Sequence, residues 1–147
     1  MPGAPLTALA AVPGAPGEPG VPAAGVAETR SFVRRAEEVP SARRFIRETL
    51  AGHPGSSDAE LLACELVTNA VQHAADAAAI TVVVIRHGQY VHVDVIDDGR
   101  SGLPHWREAS GHDENGRGFQ LVNELAHRWG FFREQTGTCV WFELAPG

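Results

Sequence analysis

Apolar and polar positions along the chain follow two different periods, and together they predict a mixed α and β fold. After Pro40, apolar side chains return at helical spacing until Gly52, which predicts a first helix with proline in its first turn. A second helical pattern runs from Ser57 to Ala74, and Ser57 and Glu60 have the spacing of a capping box at its start.

Strands are predicted where apolar residues alternate with polar ones or form short β-branched runs. These segments are residues 31–35, 80–85, 90–96, 130–134 and 138–144. A third helix is predicted from about Gly118, with Leu121, Val122, Leu125 and Trp129 on one side. The resulting order β-α-α-β-β-α-β-β predicts an α+β fold, in which helices cover one face of a mostly antiparallel sheet.

Side chains outside the main apolar pattern receive simple interpretations. His92 alternates with valines in its strand, so it is predicted to face solvent. Trp129 and Trp141 are predicted to pack in the interior. Cys64 and Cys139 lie far apart in the chain and inside predicted helix and strand, so free thiols are expected.

Composition divides the chain into a leader and one domain. Residues 1–28 are mostly Ala, Gly and Pro and are predicted to be disordered, which leaves residues 29–147 for a single domain. There is no run of about 20 apolar residues and no basic signal-peptide start, so a cytoplasmic protein without a membrane span is predicted. The net charge of −6 argues against nucleic acid as a partner.

All twelve basic residues are arginines, and the chain contains no lysine. A P-loop, a protein-kinase fold and a pyridoxal enzyme each depend on a lysine. These three classes of protein are therefore disfavoured together.

Three polar residues of the second helix form the first candidate site. Glu65, Asn69 and His73 are spaced four apart and share one helical face. One interpretation, favoured for this helix alone, is a solvated polar stripe. The other is a cofactor site, in which Asn69 offers an oxygen to Mg²⁺, Glu65 accepts a proton from an attacking hydroxyl or water, and His73 adds to cofactor binding.

The second candidate site follows the strand that ends near residue 96. Asp97, Asp98 and Gly99 have the composition of a plain Asp-Gly turn. The alternative is a base-binding site, in which the carboxylate of Asp97 accepts a hydrogen bond from the adenine amine and Gly99 allows close approach. Asp98 is predicted to face water.

Two further segments give only weak evidence for a functional site when each is considered alone. Gly116, Arg117 and Gly118 lie where a loop becomes a helix, so they form either a flexible turn or a phosphate site built from helix amides. Arg117 either pairs with a phosphate or is exposed. Thr138 follows Gly137 in a predicted hairpin turn, which needs no function.

In order and spacing, these four motifs resemble the N, G1, G2 and G3 boxes of the GHKL ATPase superfamily, over residues 29–144. The sequence motifs around Asn69 and Gly118 are most similar to those of the stand-alone anti-sigma-factor serine/threonine kinases of actinobacteria. The resemblance implies a two-layer α/β sandwich with ATP between the helix layer and a mobile lid. The G1 motif departs from the usual D-x-G-x-G because Ser101 takes the place of its last glycine.

The resemblance also implies roles for individual residues. Asn69 would chelate Mg²⁺, Asp97 would bind the adenine amine, Thr138 would support the adenine, and the amides of residues 116–118 would hold the phosphates. Glu65 matches the catalytic base.

The implied activity is transfer of the ATP γ-phosphate to a serine of an antagonist protein, the anti-anti-sigma factor. A sigma factor is a second implied partner, and a homodimer is an implied assembly. The alternative function is a non-catalytic binding module that sequesters a sigma factor or another signalling partner, gated by ATP and ADP.

Overall fold

Five antiparallel strands form the sheet of this protein in the computed structural model, which describes residues 26–74, 76–99, 121–134 and 137–145. The strands are β1 (Val26–Val33), β2 (Ala79–His87), β3 (Tyr90–Asp97), β4 (Arg128–Glu134) and β5 (Gly137–Leu144). Their order in the sheet is β1-β2-β3-β5-β4. The hairpin between β2 and β3 turns at Gly88, whose φ of 58° lies in the left-handed region that glycine adopts without strain.

Two helices pack against one face of this sheet. Helix α1 (Val39–Thr49) follows a 3-10 turn and has proline at its start, and helix α2 (Ser56–His73) follows it. Residues 121–125 are also helical. The observed α+β architecture, with an antiparallel sheet and helices, confirms the predicted fold class.

The core lies between the helices and the sheet. Its fully buried side chains include Ile46, Leu50, Leu62, Val67, Val82, Val84, Val93 and Phe142. Burying each such side chain contributes roughly 1.5–3 kcal/mol, which is how the apolar faces of α1 and α2 hold the layers together.

The start of α2 differs from the prediction. The helix begins at Ser56 behind Gly55, and no side chain caps it, so the predicted capping box of Ser57 and Glu60 is wrong. Glu60 instead binds two arginines of α1, with Oε2 3.1 Å from Nε of Arg43 and 2.8 Å from Nη2 of Arg47. The carboxylate links the two helices because guanidinium groups outcompete the backbone amide.

Two other boundaries also differ. The first strand runs from Val26 to Val33. It therefore begins five residues before the predicted segment 31–35 and ends two residues earlier. Trp129 lies in β4 and not on the third helix, and its Nε1 donates to Oδ1 of Asn123 at 3.1 Å. It still packs against the core, as expected for a large aromatic residue.

On the face of the sheet opposite the helices, here called the outer face, the side chains of the central strands β3 and β5 are also largely buried. His92 is 0% exposed, so the prediction that it faces solvent is wrong. Its Nδ1 lies 3.0 Å from Oε2 of Glu143 and its Nε2 lies 2.8 Å from Oδ1 of Asp94. The indole of Trp141 stacks on the imidazole with 5.6 Å between ring centroids.

Both cysteines are free thiols, as expected, and Cys139 is buried on the outer face. None of the helices in the described ranges has the length and apolar character needed to cross a membrane.

Candidate functional site

Helix α2 presents the first group of predicted site residues. Asn69 is only 7% exposed, and Glu65 and His73 on the same face are half-buried. The structure gives the amide nitrogen of Asn69 no hydrogen-bond partner among the described residues. Leaving a buried amide unpaired costs about 1–3 kcal/mol. A solvated polar stripe does not account for such an amide, whereas a ligand that supplies the missing partner does.

Asp97 ends β3 and shapes the turn that follows it. Its Oδ1 accepts a hydrogen bond from the amide of Gly99 at 2.9 Å, which folds the chain back on itself. Burial raises the pKa of the Asp97 carboxyl, and the hydrogen bond from Gly99 only partly opposes that rise. Within the described residues, no hydrogen bond reaches its second oxygen. That oxygen can accept a hydrogen bond from a ligand.

The first residues of β5 lie against Asp97. Thr138 is paired with Asp97 across the β3–β5 ladder and is buried, and its hydroxyl lies 3.3 Å from Nη1 of Arg133. A Cβ atom on Gly137 would overlap the backbone carbonyl oxygen of Asp97. Asp97, Gly99 and Thr138, which the sequence places in two distant segments, therefore form one cluster.

Gly137→Ala is expected to lower the stability of the fold. The added methyl group must displace the Asp97 carbonyl, and the φ of 153° at this residue is itself unfavourable for alanine. We expect a loss of about 2–4 kcal/mol in the free energy of unfolding, measured by urea denaturation. Gly52→Ala is the matched control, because it also has a positive φ but no atom within 4 Å of the added Cβ. An equal loss in both variants would contradict the close packing on Asp97.

A set of hydrogen bonds that the sequence did not reveal fixes these two groups relative to each other. Arg34, just after β1, donates from Nη1 to the carbonyl of Val71 at 2.7 Å and from Nε to that of Ala77 at 2.8 Å. It thereby ties the last turn of α2 to the loop before β2. A cation at this helix end also interacts favourably with the helix dipole.

Asp98 also holds the start of β2, through hydrogen bonds that come from the end of β3. Its Oδ1 accepts hydrogen bonds from the amides of Ala78 at 2.8 Å and Ala79 at 3.1 Å. Asp98 is exposed, as predicted, yet it orders the start of β2. An Asp-Gly turn in the sequence gives a hint of such a role, whereas nothing in the sequence distinguishes Arg34 from the other arginines.

Gly116, Arg117 and Gly118 lie outside the described residues, so their predicted phosphate site stays a prediction. Within the ranges that the structure describes, no three His, Cys, Asp or Glu side chains come together as a metal site.

Residues 23–144 match the family model of the histidine kinase-like ATPase domain, which covers most of the chain. The chain belongs to this family. The match confirms the GHKL resemblance drawn from the four motifs. Histidine kinase-like ATPase domains bind ATP.

The first of the two solved structures below shares this fold. The RsbU and RsbW domains of Rv1364c from Mycobacterium tuberculosis superpose with a TM-score of 0.61 at 20% identity, covering 81% of this chain and 32% of that one. The histidine kinase domain of a blue-light activated histidine kinase from Erythrobacter litoralis EL346 gives a TM-score of 0.48 at 24% identity, covering 74% of this chain and 59% of that one. This ATPase domain thus spans about a third of the mycobacterial structure. No curated protein matches the chain.

Proposed function

We propose that this protein binds Mg-ATP and transfers the γ-phosphate to a serine of an antagonist protein, in the manner of an anti-sigma factor kinase. The observation that carries the proposal is the buried amide of Asn69, which has no hydrogen-bond partner in the part of the chain that the structure describes and lies one helical turn from Glu65. A polar pair of this kind on the helix layer of a histidine kinase-like ATPase domain fits a ligand that is both charged and oxygen-rich.

Each described site residue has a separate task in this proposal. Asn69 holds the metal through its side-chain oxygen and a phosphate oxygen through its amide nitrogen. Asp97 accepts the adenine amine, and Thr138, its neighbour across the ladder, supports the base. His73 lines the same helical face near the phosphates. Bound Mg²⁺ supplies neutralisation of the phosphate charge, which is a large part of catalysis in phosphoryl transfer.

Glu65 is proposed to act on the protein substrate. Its carboxylate accepts the proton of the serine hydroxyl as the serine oxygen bonds to the γ-phosphorus. The bond between the γ-phosphorus and the β,γ-bridging oxygen breaks in the same transfer, and ADP leaves. The amides of Gly116 and Gly118 and the guanidinium of Arg117 are proposed to hold the phosphates, as predicted from their position before a helix.

The proposed partners are an antagonist protein that carries the acceptor serine and a sigma factor, in the cytoplasm. Fold similarity to a structure described as containing an RsbW domain supports this setting. Nucleic acid is not a proposed partner, because the chain carries a net charge of −6.

Asn69→Ala tests the nucleotide site directly. We expect the dissociation constant of ATP to rise roughly 10- to 100-fold in the presence of Mg²⁺, because both the metal ligand and a phosphate contact are lost. Without Mg²⁺ the loss should be smaller. Titration calorimetry with and without the metal measures both values.

Gln72→Ala is the matched control, since Gln72 is an exposed amide on the same helix. This variant should leave the dissociation constant of ATP unchanged, both with and without Mg²⁺. If Asn69→Ala binds Mg-ATP as tightly as the native protein does, the proposed role of Asn69 fails. Incubation of the native protein with labelled ATP and candidate antagonist proteins then separates a kinase from an ATP-gated binding module, since only a kinase transfers the label.

A further inference from the structure

The two halves of the proposed nucleotide site belong to different layers of the fold. Asp97 and Thr138, where the base is proposed to bind, lie on paired strands of the sheet. Asn69, where the phosphates are proposed to bind, lies on α2. A nucleotide contacts both halves at once because its ribose joins the base to the phosphates. Its affinity therefore depends on how firmly α2 is held at the right distance from the sheet.

The last turn of α2 is the part of this helix that the core holds least. The structure describes α2 throughout, and none of its residues after Asn69 is fully buried. Ala70 and Val71 pack against the core but are only partly buried. The carbonyl groups of a last helical turn also lack partners within the helix. The position of this turn therefore depends on contacts from outside the helix.

Arg34 connects the sheet to this last turn. Its backbone amide donates to the carbonyl of Ala78 at 3.0 Å, which continues the β1–β2 ladder beyond Val33 and fixes Arg34 on the sheet. Its half-buried side chain donates from Nη1 to the carbonyl of Val71 at 2.7 Å and from Nε to that of Ala77 at 2.8 Å. A single planar guanidinium thus bonds to both the helix and the loop, and its rigid fork fixes the distance between them.

The other side of this loop lies against the turn at the end of β3. Oδ1 of Asp98 accepts a hydrogen bond from the amide of Ala78 at 2.8 Å. A Cβ atom on Gly99 would lie 3.2 Å from the backbone nitrogen of Ala77, so the missing side chain allows the two backbones to approach closely. The loop is therefore held between Arg34 and the end of β3.

We propose, on the basis of the proposed function, that Arg34 is a positioning residue for the nucleotide. It acts through the helix and the loop and not through contact with the nucleotide. It holds the last turn of α2, which begins at Asn69, at the distance from Asp97 that ATP spans. Without Arg34 each half of the site stays intact, but the two halves no longer bind one nucleotide together at full strength. The ligands that depend on Arg34 are therefore nucleoside di- and triphosphates, and neither a nucleoside nor a polyphosphate alone.

Arg34→Met tests this role in the full chain, because methionine keeps a long apolar stem and has no N–H donor. We expect the dissociation constants of Mg-ATP and Mg-ADP to rise roughly tenfold or more by titration calorimetry. Those of adenosine and of Mg-tripolyphosphate, which each occupy one half of the site, should stay within about twofold by NMR titration. Arg35→Met is the matched control, because the Arg35 side chain is 60% exposed and its Nη2 lies 3.6 Å from Oε2 of Glu38. This variant should leave all four constants unchanged.

Arg34→Lys and hydrogen exchange provide two further measurements. Lysine keeps the charge but has one nitrogen in place of the fork, so we expect an affinity for Mg-ATP between those of the native protein and Arg34→Met. The amides of Ala74 and Ala77 donate to Ala70 and Ala74 at the end of the helix and in the loop. In Arg34→Met these two amides should exchange at least about tenfold faster, whereas the amide of Val93 in the middle of the sheet should not change.

The outcomes separate this role from the proposed kinase activity. Affinity for Mg-ATP that withstands Arg34→Met would overturn the positioning role, and so would an equal loss for ATP, adenosine and tripolyphosphate. Phosphoryl transfer by the native protein would remain unaffected by either result. A native protein that binds Mg-ATP but phosphorylates no antagonist protein would count against the kinase, while a loss confined to ATP and ADP in Arg34→Met would still support the role of Arg34. A native protein that binds neither ATP nor the two fragments would overturn both.

Discussion

Replacing Glu65 with glutamine should reduce phosphoryl transfer by about 10²- to 10⁴-fold while the dissociation constant of Mg-ATP stays within about twofold. Glutamine keeps the size and hydrogen-bonding reach of the side chain but cannot accept the proton of the serine hydroxyl. Glu65 is half-buried one turn before Asn69, so the change removes a charge without removing the proposed metal ligand. Single-turnover transfer of labelled phosphate gives the rate, and calorimetry gives the affinity.

The matched control is Glu48→Gln, which makes the same chemical change at an exposed position of α1. It should leave the rate and the affinity unchanged. If Glu65→Gln loses affinity and rate in equal proportion, Glu65 contributes to binding and is not the base. If the variant transfers phosphate at the native rate, Glu65 does not accept the proton of the serine hydroxyl.

The helices and strands were predictable because their apolar periods are strong. The period of α1 and α2 reflects a single buried face on each helix, and the observed helices follow it. Boundaries failed where long-range contacts compete with local signals. Glu60 satisfies the spacing of a capping box, yet it binds Arg43 and Arg47, whose position depends on how the helices pack.

His92 shows a second limit of sequence patterns. Alternation identifies which residues face away from the helices, but it contains no information about whether water lies there. The buried imidazole of His92 is satisfied by hydrogen bonds to Asp94 and Glu143. Glu143 lies on another strand, 51 residues after His92 in the sequence. A periodic pattern cannot show such a pairing, since it depends on the register of β3 and β5.

The candidate site was predictable to a similar degree. Asn69 and Asp97 became candidates because their motifs resemble those of a known superfamily in order and spacing, and their roles stay predictions. The contact between Asp97 and the start of β5 follows from strand register, which the sequence alone does not give. Arg34 was missed because its hydrogen bonds to Val71 and Ala77 go to backbone carbonyls, and the sequence does not show which backbone groups accept hydrogen bonds.

The His92 cluster consists of groups whose charges largely cancel. Burial alone would lower the pKa of His92, but the charges and hydrogen bonds of Asp94 and Glu143 outweigh burial and raise it to about 9. Burial raises the pKa of Asp94, and the hydrogen bonds of His92 and Arg128 outweigh burial and lower the pKa of Glu143. Nε of Arg128 lies 2.9 Å from Oε1 of Glu143. His92 is therefore an imidazolium at neutral pH, held between two carboxyl groups.

The protein should lose stability as the pH rises from 6.5 to 9, the interval between the ordinary pKa of histidine and that of His92. A pKa that folding raises contributes stability that is complete below the ordinary value and is lost as pH passes the folded value. A rise from 6.5 to about 9 corresponds to about 3 kcal/mol in the free energy of unfolding. The raised pKa of Asp94 acts in the same direction, because it also makes stability fall as the pH rises above the ordinary value of 3.8. Urea denaturation followed by tryptophan fluorescence at a series of pH values measures the change.

Removing the imidazolium should be costly because it leaves Asp94 buried without its counter-charge. We expect His92→Gln to lose about 3–5 kcal/mol at pH 6.5, whereas the pair His92→Gln with Asp94→Asn should recover part of that loss and show little change up to pH 9. His127→Gln is the control, since it makes the same chemical change at an exposed position. This variant should retain the native pH dependence of the free energy of unfolding. Stability that stays level between pH 6.5 and 9 in the native protein would show that His92 is neutral. The polar residues of the outer face would then act only as hydrogen-bonding groups that fix the register of β3 and β5.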